Sequence, residues 1–280
     1  MRALALRIAR LCGYLALTLP LMPVQALFVA RRSPLAASFP MLYHRLCWRI
    51  LGFRVVERGE RSKHRPTLFV ANHVSYLDIT ILGGLLKACF VAKADVARWP
   101  LFGTLARLQR TVFVERHVRR SAEQRDVISQ RLAVGDDLIL FPEGTSSDGN
   151  RVLPFKSALF AAAEVPTGSA AIAVQPVSIA YTRLNGVPMG RWLRPYFAWY
   201  GDMEMAPHLW DLLGLGVVTV EVEFHPVVSR LEFPSRKALA QHCQRAVADG
   251  VAAALSGRER APEPAAAAPL AAPSAVGAPT

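Results

Sequence analysis

Chemistry first suggests itself where an apolar run ends in a histidine with an aspartate five residues on. Residues 67–71 read Thr-Leu-Phe-Val-Ala and lead into Asn72-His73-Val74-Ser75-Tyr76-Leu77-Asp78. Strand-to-helix turns are where layered α/β proteins expose reactive side chains. On one straight helix the two residues would be rotated by roughly 500°, leaving them ~140° apart. With His73 in the turn and Asp78 in the first helical turn, the carboxylate can fold back onto the imidazole. It would then fix the tautomer and leave the other ring nitrogen as a general base. The same residues support a purely architectural reading. Ser75 suits a helix N-cap, Asp78 its capping-box partner, and His73 an ordinary turn histidine. Residue types alone do not choose between the two.

Further polar groups follow other apolar runs. Phe141-Pro142-Glu143-Gly144-Thr145-Ser146-Ser147-Asp148-Gly149 could form a polar pocket with accessible backbone N–H groups, or a plain connecting loop. Residues 112–114 lead to Glu115 and Arg116, a guanidinium suited to bidentate phosphate or carboxylate binding. Arg119 and Arg120 read as an exposed helix start. Pro176 inside an apolar run signals an edge strand or a bulge. Lys93, Arg151 and Lys156 are further cations near these loops.

Positioning these groups requires alternating elements. Strands are expected over 67–71, 89–92, 111–114, 138–141, 172–180 and 217–224, and helices over 75–86, 99–108, 119–132, 155–164 and 235–255. The pattern predicts an α/β fold, a single layered domain with a mostly buried sheet flanked by helices. Alternating apolar and acidic residues over 217–224 suggest an edge strand. Arg2, Arg7 and Arg10 precede an uncharged stretch over 11–30, closed by Arg31 and Arg32. A cleaved signal is one reading. An uncleaved membrane anchor fits better, with Pro20 and Pro23 breaking the helix into a kinked span or a helix-break-helix hairpin. An amphipathic helix is expected over 33–51. The resulting division is 1–52 for membrane-anchoring helices, 53–257 for the main domain and 258–280 for a disordered Ala/Pro-rich tail.

Composition narrows the function classes. Of 280 residues, 52% are apolar and 19% charged, which excludes disorder for the bulk of the chain. Only one stretch approaches the length of a membrane span, which argues against a multi-span protein. A net charge of +12 beside a mean hydropathy of +0.25 suits an anionic membrane surface, with nucleic acid as the competing reading. Cys12, Cys47, Cys89 and Cys243 form no CxxC pair and no Cys/His cluster, so reduced cytosolic thiols are expected.

Taken in order, these blocks resemble the 1-acylglycerol-3-phosphate acyltransferase family of glycerolipid synthesis. Its N-H-x-x-x-x-D block is met by Asn72, His73 and Asp78. Its strand ending in Arg is met by Arg116, its F-P-E-G-T block by residues 141–145, and its strand proline by Pro176. Lys93, Pro100 and Gly103 match the intervening Lys, Pro and Gly. The resemblance covers roughly residues 55–230. It implies single-step acyl transfer: His73, oriented by Asp78, deprotonates a lysolipid hydroxyl, which attacks the thioester of acyl-CoA or acyl carrier protein. It also implies acceptor contacts from Arg116, Glu143, Gly144, Thr145 and Lys156, no cofactor and no metal. The absence of a GxSxG element agrees with a mechanism without an acyl-enzyme. The implied place is the inner membrane, with the catalytic part facing the cytoplasm. Anionic lipid and an anionic donor then explain the charge, and nucleic acid drops out. The acceptor expected first is 1-acyl-sn-glycerol-3-phosphate, giving phosphatidic acid. One departure favours an alternative. Phosphate-accepting members commonly continue E-G-T-R, whereas Ser146 stands in the Arg position here. The run from Gly144 to Ser157 is more similar to bacterial relatives that acylate lyso-ornithine lipid. A non-catalytic lipid-surface protein and a hydrolase using water are the alternatives of other classes.

Overall fold

The computed structural model describes residues 2–114, 121–164 and 172–257. Two long helices come first, α1 (Arg2–Ala30) and α2 (Leu35–Leu51). An α/β body follows: β1 (Phe53–Gly59), β2 (Thr67–Ala71), α3 (Leu77–Leu85), β3 (Ala88–Lys93), α4 (Phe102–Leu108), β4 (Val112–Val114), α5 (Ser121–Ala133) and β5 (Asp137–Leu140). It continues through β6 (Ala173–Leu184), β7 (Val187–Pro188), α6 (Met205–Leu213), β8 (Val218–Phe224), β9 (Val228–Ser229) and α7 (Arg236–Ser256). The main path of the sheet runs β1-β8-β6-β2-β5-β3-β4, with β7 and β9 pairing on β6. Neighbours are parallel along this path except β6 and β8.

Both faces of the sheet are covered, so the central strands are continuous apolar runs instead of alternating ones. Every residue of β2 is buried. Its side chains still alternate between two cores. Phe69 and Ala71 join the layer beneath α2, α3 and α6, while Leu68 and Val70 join the layer beneath α5 and α7. Ile139 and Leu138 divide in the same way on β5.

Several expectations change. Strand β8 is internal, between β1 and β6, and not at an edge. Its Glu221 and Glu223 are only partly buried, and Glu221 accepts a hydrogen bond from Arg58 Nε at 3.1 Å. Pro176 is likewise in a central strand. It falls where the neighbour of β6 changes from β8, paired from Val177 onward, to β9, paired at Ala173 and Val174. A missing N–H is tolerated at that break. Strand β1 and helix α6 were not expected at all. Residues 258–280, the expected tail, lie outside the described residues.

The first helix also differs. Pro20 and Pro23 do not break α1, which is continuous over 29 residues. Both prolines are exposed, while Thr18 and Gln25 on the same helix are buried and hold it by tertiary contacts. The chain reverses after Arg31 and Arg32 instead. Helix α1 is fastened along the α/β body near both ends. Arg10 donates to the carbonyls of Leu213, Leu215 and Gly216 at 3.2, 2.6 and 3.2 Å, and Arg7 pairs with Asp211 at 2.9 Å. Further on, Gln25 Nε2 donates to Ala36 O at 2.9 Å and to Leu108 O at 2.8 Å. The first of these bonds has a local cause. Pro40 lies within α2 and has no N–H for Ala36 O, four residues earlier. In turn α2 lies close on α3 because Gly83 and Gly84 face it. A Cβ at Gly83 would stand 2.5 Å from the His44 ring, and one at Gly84 2.3 Å from Trp48.

The Gln25 bridge predicts a coupled pair of substitutions. Gln25→Leu leaves two carbonyls without their donor and should cost about 2–4 kcal/mol of stability. In a Pro40→Ala background the helix supplies its own N–H to Ala36 O, and the cost should fall by about 1 kcal/mol. Denaturant unfolding in detergent measures both; equal costs in the two backgrounds would refute the bridge.

Candidate active site

Strand β2 delivers Asn72 and His73 to the edge of the sheet, and the start of α3 brings Asp78 back to them. Asn72 locks the turn to the next strand. Its Nδ2 donates to Ile179 O at 2.9 Å and its Oδ1 accepts from Ile179 N at 2.8 Å. Asp78 is fully buried, and the His73 side chain is 22% exposed. One carboxylate oxygen, Oδ2, accepts from His73 Nδ1 at 2.9 Å, Val74 N at 2.7 Å and Ser75 N at 2.9 Å. The other, Oδ1, accepts from the Tyr181 hydroxyl at 2.9 Å. The reactive and architectural readings of Asp78 are therefore both met by a single side chain. Ser75 is not the cap: Tyr76 holds that position without a side-chain cap, and the Ser75 hydroxyl is buried without a partner. With Nδ1–H committed to Asp78, the remaining nitrogen of His73 carries a lone pair able to accept a proton.

The loop after β5 closes the other side. The Phe141 ring stacks on His73 with centroids 4.2 Å apart, and Phe90 stacks on Phe141 at 6.3 Å. Ser147 N donates to His73 O at 2.9 Å. Glu143 is buried, and its Oε1 accepts from His73 N at 3.1 Å. Burial pushes its carboxyl up to about 8; the N–H groups of His73 and Leu153 pull the other way, and the charge of Asp78 adds to the rise. Glu143 is thus largely neutral near pH 7. Gly144 takes a positive φ of 71°, which turns the loop there. Thr145 is exposed, and so is Lys156, whose backbone N–H donates to Pro142 O at 2.9 Å. Arg116 lies outside the described residues, as do Arg119 and Arg120. The described structure thus brings His73, Asp78, Glu143 and Gly144 together, and leaves the side chains of Thr145 and Lys156 at the surface.

Sequence reasoning missed several neighbours. Tyr181 reaches Asp78 from β6, about a hundred residues away, and no motif marks it. The segment 194–199 packs beside the site: Trp199 N donates to Val74 O at 2.9 Å, and the Ser146 hydroxyl donates to Trp199 O. Tyr76 donates to or accepts from His208 Nδ1 at 2.9 Å, and rings of Tyr76, Trp99 and Trp199 meet edge to face. On the far side of Tyr76 and Trp99 is an apolar cavity of about 170 Å³ between α1, α2, α4 and α6, with Leu21, Phe39 and Leu105 in its walls. Among the described residues no group of three His, Cys, Asp or Glu could hold a metal ion.

The site is a buried carboxylate holding a mostly buried histidine, between a polar loop and an apolar cavity, an arrangement suited to proton transfer at an amphiphile. Comparison with known proteins gives the family. Residues 53–180 match the model of the Acyltransferase family. A lyso-ornithine lipid O-acyltransferase of Brucella abortus is 46% identical over 87% of this chain and 93% of its own, and one of Rhizobium meliloti 43% over 89% and 88%. A 1-acyl-sn-glycerol-3-phosphate acyltransferase of Neisseria gonorrhoeae is 31% identical over 69% and 72%. The crystal structure of the 1-acyl-sn-glycerophosphate acyltransferase of Thermotoga maritima matches with a TM-score of 0.63 and 25% identity, over 93% of this chain and 100% of that one. The chain belongs to the lysophospholipid acyltransferase (1-acylglycerol-3-phosphate O-acyltransferase) family and is an O-acyltransferase of lysolipids.

The raised Glu143 carboxyl has a measurable consequence. Its folded value of about 8 lies above its ordinary 4.5, so the folded protein keeps a proton that the unfolded chain releases. Stability is therefore lost as pH rises through that window. Glu143→Gln cannot ionise. Its melting temperature relative to the wild type should climb from pH 5 to pH 8 and level off above. A difference that does not change with pH would overturn the assignment.

Proposed function

We propose that this enzyme is a membrane-associated acyltransferase that moves a fatty acyl group from acyl-CoA or acyl carrier protein to the hydroxyl of lyso-ornithine lipid. The observation that carries the acceptor is Ser146. It occupies the place where phosphate-accepting members commonly have Arg, and its hydroxyl is turned onto Trp199 O. Serine cannot replace a charge-assisted contact to phosphate. The Brucella and Rhizobium relatives support the same acceptor. We therefore put it ahead of 1-acyl-sn-glycerol-3-phosphate.

In the reaction His73, held by Asp78, takes the proton of the acceptor hydroxyl. The oxygen attacks the thioester carbonyl, the C–S bond breaks, and the imidazolium returns the proton to the leaving sulfur. A thioester is already activated, so positioning and one base suffice, without a cofactor. The buried polar loop around Glu143 and Gly144 faces the acceptor. The donor's acyl chain lies in the apolar cavity behind Tyr76 and Trp99. A neutral Glu143 next to His73 N–H does not compete with Asp78 for the imidazolium. Arg116, Thr145 and Lys156 remain acceptor contacts implied by family resemblance.

The membrane surface in this reading is the outer face of α1 and α2. Leu4, Ile8, Leu19, Val24 and Leu27 are exposed on one helix, Leu35 and Leu42 on the other. Because α1 is fastened along the α/β body, we read it as lying in one leaflet and not crossing it. Anionic lipid of the cytoplasmic leaflet suits the net charge of +12.

Two experiments test these readings. With a labelled acyl carrier protein thioester and both lysolipids offered together, ornithine lipid should be the main product, and His73→Ala should lower transfer about 10²- to 10⁴-fold. Phosphatidic acid as the main product would reverse the acceptor; undiminished transfer by His73→Ala would remove the base. Separately, Leu19→Asp with Leu42→Asp should weaken flotation with anionic vesicles about tenfold or more while melting stays unchanged. Unaltered flotation would move the membrane surface elsewhere.

A further inference from the structure

The loop after Glu143 does not end at Ser146. Asp148 Oδ1 and Oδ2 accept from Asn150 N at 3.0 Å and Asn150 Nδ2 at 3.2 Å, which closes a tight turn at Gly149. This turn presses on the catalytic segment. A Cβ at Gly149 would stand 3.1 Å from Val74 Cγ1, and 3.9 Å from Arg194 Cβ. Arg194 therefore arises beside the residue that follows His73. Its guanidinium is partly buried. One nitrogen donates to Asn150 Oδ1 at 2.8 Å and another to Met189 O at 3.0 Å, while Nε is sealed from solvent without a hydrogen-bond partner. Two of its five N–H donors are thus committed to holding it, and the rest are unspent.

We propose that Arg194, positioned by Asn150, binds the α-carboxylate of the acceptor's amino-acid head group and takes over the charge that Ser146 lacks. The inference rests on the lyso-ornithine reading above. Acceptor chemistry explains why the cation moved. In a lysophosphatidate the phosphorus is four bonds from the nucleophilic hydroxyl oxygen, through two carbons and the ester oxygen. In a 3-hydroxyacyl amide of ornithine the carboxylate carbon is six bonds away, through the acyl carbons, the amide nitrogen and Cα. A cation at position 146, three residues after Glu143, suits the nearer anion. One held by the far side of the Gly149 turn suits the farther one. The charges acting on Arg194 are of both signs, Arg191 and then Asp148, a setting that suits a head group carrying both a carboxylate and an ammonium. Arg also fits a planar carboxylate better than Lys does, because its fork can meet both oxygens.

The test compares two acceptors, lyso-ornithine lipid and its head-group carboxamide, in the wild type, Arg194→Gln and Arg194→Lys. The wild type should prefer the carboxylate by about ten- to a hundredfold in kcat/KM, carried mainly by KM. Arg194→Gln should lose that preference by acting poorly on both acceptors alike, and Arg194→Lys should recover part of it. A merely structural role for Arg194 would lower both rates and leave their ratio as in the wild type. That outcome, with lyso-ornithine lipid still acylated, overturns the assignment of Arg194 alone. A wild type that acylates only lysophosphatidate overturns the acceptor reading and this inference with it.

Discussion

Four hydrogen-bond donors converge on the buried carboxylate of Asp78, and they answer three different requirements. Two backbone N–H groups, of Val74 and Ser75, belong to the turn before α3. They would be orphaned at a helix start without a partner. The imidazole belongs to the chemistry. The Tyr181 hydroxyl belongs to β6, which reaches this end of the sheet only because it lies beside β2. A buried carboxylate without such partners would be costly. With them, it fixes the ring of His73 to the turn, the turn to the helix, and the helix to the central strand. The position of the free ring nitrogen is thus set by the same bonds that terminate β2, so little freedom remains for it to drift.

From that point the site divides into two chemically different sides. The stack of His73, Phe141 and Phe90 marks the boundary. One side is polar backbone and side chains of 143–150, joined by Arg194 and the carbonyl of Trp199. The other is the apolar cavity against α1 and α2. An acyl transfer between amphiphiles needs such a partition: head group and acyl chain must approach one base from media of opposite polarity. The edge-to-face rings of Tyr76, Trp99 and Trp199 occupy the seam, where side chains with an apolar body and a polar tip are suited to both.

Much of this order could be read from the chain because the signals are local. Buried parallel strands appear as short apolar runs, and the groups that follow them fall at one sheet edge. His73, Asp78, Glu143 and Gly144 were each marked by position after such a run. What could not be read depends on pairing across the sequence. Tyr181 meets Asp78 through strand order, which no local pattern encodes. The acidic alternation of β8 suggested an edge, yet β1 covers it, and Arg58 meets one of those acids. Pro176 suggested an edge or a bulge, but a change of neighbouring strand accommodates it equally well. Pro20 and Pro23 were read as a break by local rules, and tertiary contacts at Thr18 and Gln25 override them. Arg194 opens a single 3₁₀ turn, Arg194–Tyr196, too short to leave a periodic pattern in the sequence.

The N-terminal helices carry the last consequence. A separable anchor would touch the rest of the protein through a linker, and removing it would leave the site intact. Here Arg10 satisfies three carbonyls around α6 and β8, and Gln25 satisfies one at the end of α4. Leu11, Tyr14 and Leu21 of α1 and Phe39 and Tyr43 of α2 wall the same cavity as Phe90 and Trp99. Taking away α1 would therefore expose the apolar cavity and unpair several carbonyls at once. In the proposed reading, the surface that meets lipid and the wall of the cavity assigned to the acyl chain are opposite faces of the same helices. A chain drawn from the bilayer can then reach the region of His73 along protein, without crossing water.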